Sequence, residues 1–118
     1  MTEETDLGKI EISPEAIAAI ASAAVLECYG VVGMADKGVL GGLVSRLHPD
    51  RGRRGVEVRV EGDRIIIDLY VIVEYGTRIS EVAYGVMNRV KFSLEHTLGV
   101  PIAEVNVHVQ DLRISDGD

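Results

Sequence analysis

One pattern is used twice in this chain, and it limits the folds open to it. Gly8-Lys9-Ile10-Glu11-Ile12-Ser13-Pro14-Glu15 reads as a short strand that opens into a helix, and Tyr75-Gly76-Thr77-Arg78-Ile79-Ser80-Glu81 repeats those events in the second half. Each helix runs to a Leu-Glu pair (Leu26-Glu27, Leu94-Glu95) and stops at Gly-Val (Gly30-Val31, Gly99-Val100). The start signals have physical causes. Ser13 offers an N-cap oxygen, Pro14 suits the first helical position, and Glu15 favours the positive end of the helix.

The helices carry apolar stripes. Ile17, Ile20, Ala21, Ala24, Val25 and Cys28 recur at helical spacing in the first, and Ile79, Val82, Ala83, Val86, Met87, Val90, Leu94 and Leu98 in the second. Gly85 sits inside the second at a cost of about 1 kcal/mol, a position read as made for close packing. Strands follow a period of two. Val56, Val58 and Val60 alternate with Glu57, Arg59 and Glu61 before a Gly62-Asp63 turn of type II′. The next strand runs from Arg64 to about Tyr75, with Ile65, Ile67, Leu69, Val71 and Val73 on one face, and the last alternates Val105, Val107 and Val109 with Asn106, His108 and Gln110. The order is β-α-β, hairpin, β-α-β. It predicts an α+β fold, a βαββαβ split-βαβ (ferredoxin-like) sheet with both helices packed on one face and the first and third strands central. Residues 1–7 read as a mobile acidic tail, 8–114 as the single domain, and 115–118 as a second tail.

From Val31 to Gly55 the periodicity fails, and a long loop is expected at 35–55. Glycines at 33, 38, 41, 42 and 52 with Pro49 leave the stretch from Asp36 to Arg54 little means of offsetting its ordering entropy, so it should be the most mobile internal segment. It holds Lys37, Arg46, Arg51, Arg53 and Arg54 against only Asp36 and Asp50, a basic segment in a chain of net charge -7. That acidity argues against a general nucleic-acid binder, because phosphate contacts supply most of such affinity. The single Cys28 forms no internal bridge and suits a reducing compartment. The polar, acidic start lacks a secretory signal, and no apolar run approaches the ~20 residues that span a bilayer. A cytoplasmic location is expected, with a peripheral place at the inner membrane face compatible with it.

No residue cluster has the makings of an active site. Ser45, His48 and Asp50 have the types of a hydrolytic triad but lie within six residues of a Gly-rich loop, with no nucleophile elbow. Cys28 and His96 form a thiol–imidazole pair only on paper, since Cys28 lies on the apolar stripe. His48, His96 and His108 show no metal-ligand spacing, and no P-loop is present. Gly30-Val31-Val32-Gly33 is a weak match to a KH-type loop, and the open sheet face lacks the aromatics of an RRM. That helix-free face should hold Glu57, Arg59, Asp68, Tyr70, Ile72, Asn106 and His108. Of these, Arg59, Asp68, Tyr70, Ile72 and His108 are the candidate partner surface, since tyrosine is favoured at interfaces for its area and polar tip.

The chain also resembles a known family. Gly8-x-Ile10-x-Ile12-Ser13-Pro14-Glu15-Ala16-Ile17 and Gly30-Val31-Val32-Gly33-Met34 resemble the opening of the alkaline-shock protein family, the bacterial envelope-stress-response family that includes the glucose-starvation general stress proteins. Ile67-Asp68-Leu69-Tyr70-Val71-Ile72-Val73-Glu74-Tyr75-Gly76, Ile79-Ser80-Glu81-Val82-Ala83 and Val105-Asn106-Val107-x-Val109 resemble its later motifs, with Ser80 where members often have proline. The resemblance implies a non-catalytic protein without cofactors that acts in envelope homeostasis and alkaline or general stress. It also implies a protein partner, membrane-anchored for some members, and self-assembly for others. A nucleic-acid-associated module using the 37–54 loop is the alternative.

Overall fold

The computed structural model describes residues 2–35 and 55–114. Their order is β1 (Thr2–Thr5), β2 (Gly8–Glu11), α1 (Pro14–Leu26), β3 (Val31–Met34), β4 (Val56–Glu61), β5 (Arg64–Glu74), α2 (Ile79–Leu98) and β6 (Glu104–Arg113). The basic residues Lys37, Arg46, Arg51, Arg53 and Arg54, and Ser45, His48 and Asp50 with them, lie outside the described residues, as does most of the expected loop.

The architecture is α+β, with both helices on one face of a mixed sheet. β5 is its axis. β6 runs parallel to β5 along one edge, from Ile66↔Glu104 to Glu74↔Arg113. The other edge is shared by two antiparallel segments, β4 against Arg64–Leu69 and β3 against Val71–Val73. β3 and β4 thus follow one another along a single edge. The break between them is pinned at Tyr70, whose C=O accepts from the Ala35 N–H at 2.9 Å and whose N–H donates to the Gly55 C=O at 2.8 Å. Gly55 has φ +84°, and a Cβ there would stand 2.9 Å from the Ala35 carbonyl oxygen and 3.0 Å from that of Tyr70. Only glycine fits this junction.

Three expectations about strands need correcting. Residues 1–7 were expected to be a tail, yet Thr2–Thr5 pairs antiparallel with Gly8–Glu11, and both strands of this hairpin are exposed throughout. Thr5 Oγ1 accepts from the N–H groups of Leu7 and Gly8, a local turn that a polar sequence makes without apolar alternation. Consequently Gly8–Glu11 is not central in the main sheet; β5 is central, as expected of the third strand, and β6 lies directly beside it. Part of the stretch read as loop, Val31–Met34, supplies an edge strand instead. Its bulge between Val31 and Gly33 hides the period of two.

The helices follow their start signals. Ser13 Oγ accepts from the Ala16 N–H at 3.1 Å, and α2 ends in Gly99 at φ +76°. The hairpin glycine, Gly62, has φ +64°, as a type II′ turn needs. Ile17, Ala21, Ala24 and Val25 of α1 and Val82, Val86, Val90 and Leu94 of α2 close over Ile65, Ile67, Leu69, Val71 and Val73. Gly30 lets the helices approach: a Cβ there would sit 2.6 Å from Val82 Cγ2. Gly85 has no such role, since a Cβ there meets nothing within 4 Å. Beyond α2, Lys91 Nζ donates to the Ile102 C=O and Glu95 accepts from the Ile102 N–H, both at 2.9 Å. These bonds satisfy the backbone at the start of β6.

Ile17 is fully buried and Ile20 only partly so. Ile17→Ala should cost about 2–5 kcal/mol and Ile20→Ala clearly less, as read from urea denaturation midpoints.

Candidate functional site

The sheet register places Glu57, Arg59 and Glu61 of β4, Ile66, Asp68, Tyr70 and Ile72 of β5, and Asn106 and His108 of β6 on the face away from the helices. The five residues singled out as a partner surface are therefore on one face, and their centre is Asp68. It is 6% exposed in the middle of the most apolar strand.

A buried carboxylate is unfavourable unless its oxygens are satisfied. Here both are. Oδ2 accepts from Arg59 Nη2 at 3.0 Å and Nε at 3.2 Å, a two-pronged grip from β4. Oδ1 accepts from Asn106 Nδ2 at 3.2 Å and meets His108 Nε2 at 3.0 Å, both from β6. Asn106 is the direct cross-strand neighbour of Asp68, while Arg59 and His108 reach it diagonally. Burial works to raise the Asp68 pKa. The hydrogen bonds from His108, Arg59 and Asn106 outweigh it and hold the carboxyl below its ordinary value of 3.8. An ionised carboxylate has no proton to give. The contact to His108 is therefore made by an Nε2–H.

The network extends at both ends. Glu61 pairs with Arg59 at 3.2 Å, and Glu104 takes Asn106 at 3.4 Å and Arg64 at 3.0 Å. Glu61, Arg64 and Glu104 were outside the expected surface, though their alternate spacing already marked them as facing this side. The ring of His108 lies over that of Tyr70, with centroids 4.6 Å apart and planes within 12°. Ile72 is 9% exposed and so belongs to the packed part of this face. What the face offers outward is a stacked Tyr–His pair beside a charge-paired lattice.

Cys28 and His96 have separate partners. The Cys28 thiol donates to the Ala24 C=O at 3.4 Å and burial raises its pKa, while His96 stacks on Phe92. Gly30-Val31-Val32-Gly33 enters β3, so it is not a phosphate-clamping loop between helices. No helix of the described residues is long and apolar enough to cross a membrane.

A family model with the description "ASP23 family, cell envelope-related function" matches residues 2–114. The chain belongs to the ASP23, or alkaline-shock protein, family. Its function is thus cell envelope-related. YloU of Bacillus subtilis (strain 168) is 46% identical over 113 residues, covering 95% of this chain and 94% of its own length. Spy1614 of Streptococcus pyogenes serotype M6 is 38% identical over 108 residues, or 91% of this chain and 89% of its own, and YqhY of B. subtilis is 36% identical over 107 residues, or 91% and 78%. Among solved structures, two variants of MamM CTD superpose on this ASP23-family chain with TM-scores of 0.52 and 0.51. The first covers 88% of each chain; the second, a zinc form, covers 87% of this chain and 90% of its own. At 16% identity both likenesses concern the fold alone.

The Asp68 hub has a pH signature. A carboxyl whose folded pKa is lowered contributes stability that is fully present above its unfolded value, near 3.8, and is lost as pH falls from there toward the lowered value. Asp68→Asn should flatten that acid limb of the stability–pH curve relative to wild type. Asp68→Ala should cost about 1–3 kcal/mol at neutral pH, at the modest end because its partners Arg59 and His108 are partly solvated. Denaturant melts of the three proteins from pH 7 downward check both.

Proposed function

We propose that this chain is a non-catalytic protein-interaction module of the envelope and alkaline stress response. In this reading it works from the cytoplasm at the inner face of the membrane, and the helix-free sheet face docks a membrane-anchored protein. Family membership supplies the envelope context. The observation that carries the mode of action is the Asp68 hub.

Four hydrogen bonds from two neighbouring strands converge on one buried carboxylate. They fix Arg59 and His108, and through the ring stack Tyr70, before any partner arrives. Preorganised side chains lose less entropy on binding. Tyrosine and arginine are also the residues that most often dominate interface energetics. The same geometry is poor for catalysis. His108 is oriented by a carboxylate, but a nucleophile held against its second nitrogen would be needed for the usual triad chemistry. Cys28, a nucleophile weighed from the sequence, donates instead to the Ala24 C=O.

Tyr70→Ala combined with His108→Ala is the test, since both side chains are partly exposed and Ile72 is too buried for a clean surface change. Wild type and double variant should have the same circular dichroism, with the variant's melting temperature lowered by the loss of one bond to Asp68 but its unfolding still cooperative. Crosslinking in the source cell, followed by capture from the membrane fraction, should recover a specific protein with wild type and lose it with the variant. Equal recovery by both would remove the sheet face from the reading.

A further inference from the structure

The chain has four tyrosines and one phenylalanine, and none of the five is in the buried core. The single Phe92 is 66% exposed on the outer side of α2, and Tyr84, eight residues earlier, is exposed to the same extent. A lone exposed apolar residue needs no explanation. Phe92 is accompanied by a second unexplained feature. Gly85 lies in the interior of the same helix, where glycine is unfavourable, and the monomer gives it no packing role, because a Cβ there would meet nothing within 4 Å. Gly85 instead lines an open groove of about 320 Å³ between the end of α1 and the first half of α2. Val82 and Cys28 also line it, beside the charged Glu81 and Arg89.

The two features are in register. From 85 to 92 is one heptad, about 10 Å along the helix axis and within about 20° of the same face. Glu81, Gly85, Asn88 and Phe92 alternate at steps of four and three, the spacing of a helix-pairing seam. Every one of these side chains or positions is exposed. A hole and a knob one heptad apart on one helix are self-complementary when two copies of that helix run antiparallel.

The geometry points to a symmetric dimer in which α2 packs antiparallel against α2 of a second copy, each Phe92 filling the notch at Gly85 of the other. A two-fold axis between Asn88 and Arg89 brings this about. It sets Gly85 opposite Phe92, Asn88 opposite Arg89, and Glu81, which pairs with Arg78 on its own helix, opposite the imidazole of His96. Arg89, which is ion-paired with Glu27 across the groove, borders the notch where its guanidinium meets the incoming ring. The interface is isologous and closes on itself, so it stops at two copies. It uses the helix layer and leaves the sheet face of the dimer open on both sides.

Sedimentation over a concentration series and disulfide trapping test this. Wild type should pass from monomer to dimer as concentration rises. Phe92→Lys, which charges the knob, and Gly85→Leu, which fills the notch, should each weaken dimerisation by about tenfold or more while remaining folded, because both sites face solvent in the monomer. In a Cys28→Ser background, Asn88→Cys should form a disulfide-linked dimer on mild oxidation. His108→Cys, on the sheet face, should not. Monomeric wild type throughout, unchanged dimerisation of both surface variants, or trapping through His108→Cys as fast as through Asn88→Cys would each overturn the proposal. None of these outcomes bears on the sheet-face partner, which is read by membrane-fraction capture.

Discussion

The fold depends on β5 being paired along both edges. An eleven-residue strand with apolar residues on nearly every position is hazardous if either edge is free, because its backbone groups would template aggregation. Here β6 covers one edge and β3 with β4 the other. Both faces are then determined. One takes the two helices, and the other has to be closed without helices. The rest of the molecule is a response to that second requirement.

The response is a charge. A continuous apolar face opposite the helices would be an aggregation surface in its own right. The chain instead places Asp68 at the middle of β5 and surrounds it with donors from both neighbouring strands. Such a group stabilises little in net terms, since its desolvation offsets much of what its hydrogen bonds return. Its contribution is specificity of register. A one-residue slip of β4 or β6 would turn Arg59 or His108 toward the helices and strand a carboxylate in an apolar sheet. The polar lattice therefore penalises mispaired sheets, and the helix-side core supplies the bulk of the stability.

Much of this was legible in the chain. Alternation in 56–60, 64–75 and 105–109 set the parity of the residues in β4, β5 and the first part of β6, so Arg59, Asp68, Tyr70 and His108 could be assigned to one face before any coordinates. The helices were legible because Ser13, Pro14 and Gly99 act locally. The order of strands was not, since pairing partners are chosen by long-range packing that local pattern does not encode. Thr2–Thr5 was missed because a strand of TEET has no apolar period, and Val31–Met34 because a bulge and a glycine interrupt one. Gly85 was misjudged for a different reason. Periodicity shows that a residue lies in a helix, while whether anything approaches it depends on the neighbours. For the site, Asp68 was visible as the one charge inside an apolar run; its burial and the tightness of Ile72 depend on side chains from three strands at once.

The junction at Tyr70 separates two tasks that a long insertion usually entangles. Because Ala35 and Gly55 bond the same residue, the chain leaves the sheet and returns to it at one point, and the edge strand continues as though uninterrupted. Whatever lies between is topologically a cassette. A flexible insertion at such a point costs only loop closure, about 0.6 kcal/mol for each doubling of its length. An insertion there leaves the register of β3 and β4 against β5 untouched, provided the glycine at 55 stays. The sheet thus carries one position at which novelty is structurally cheap, next to the ring pair on its open face.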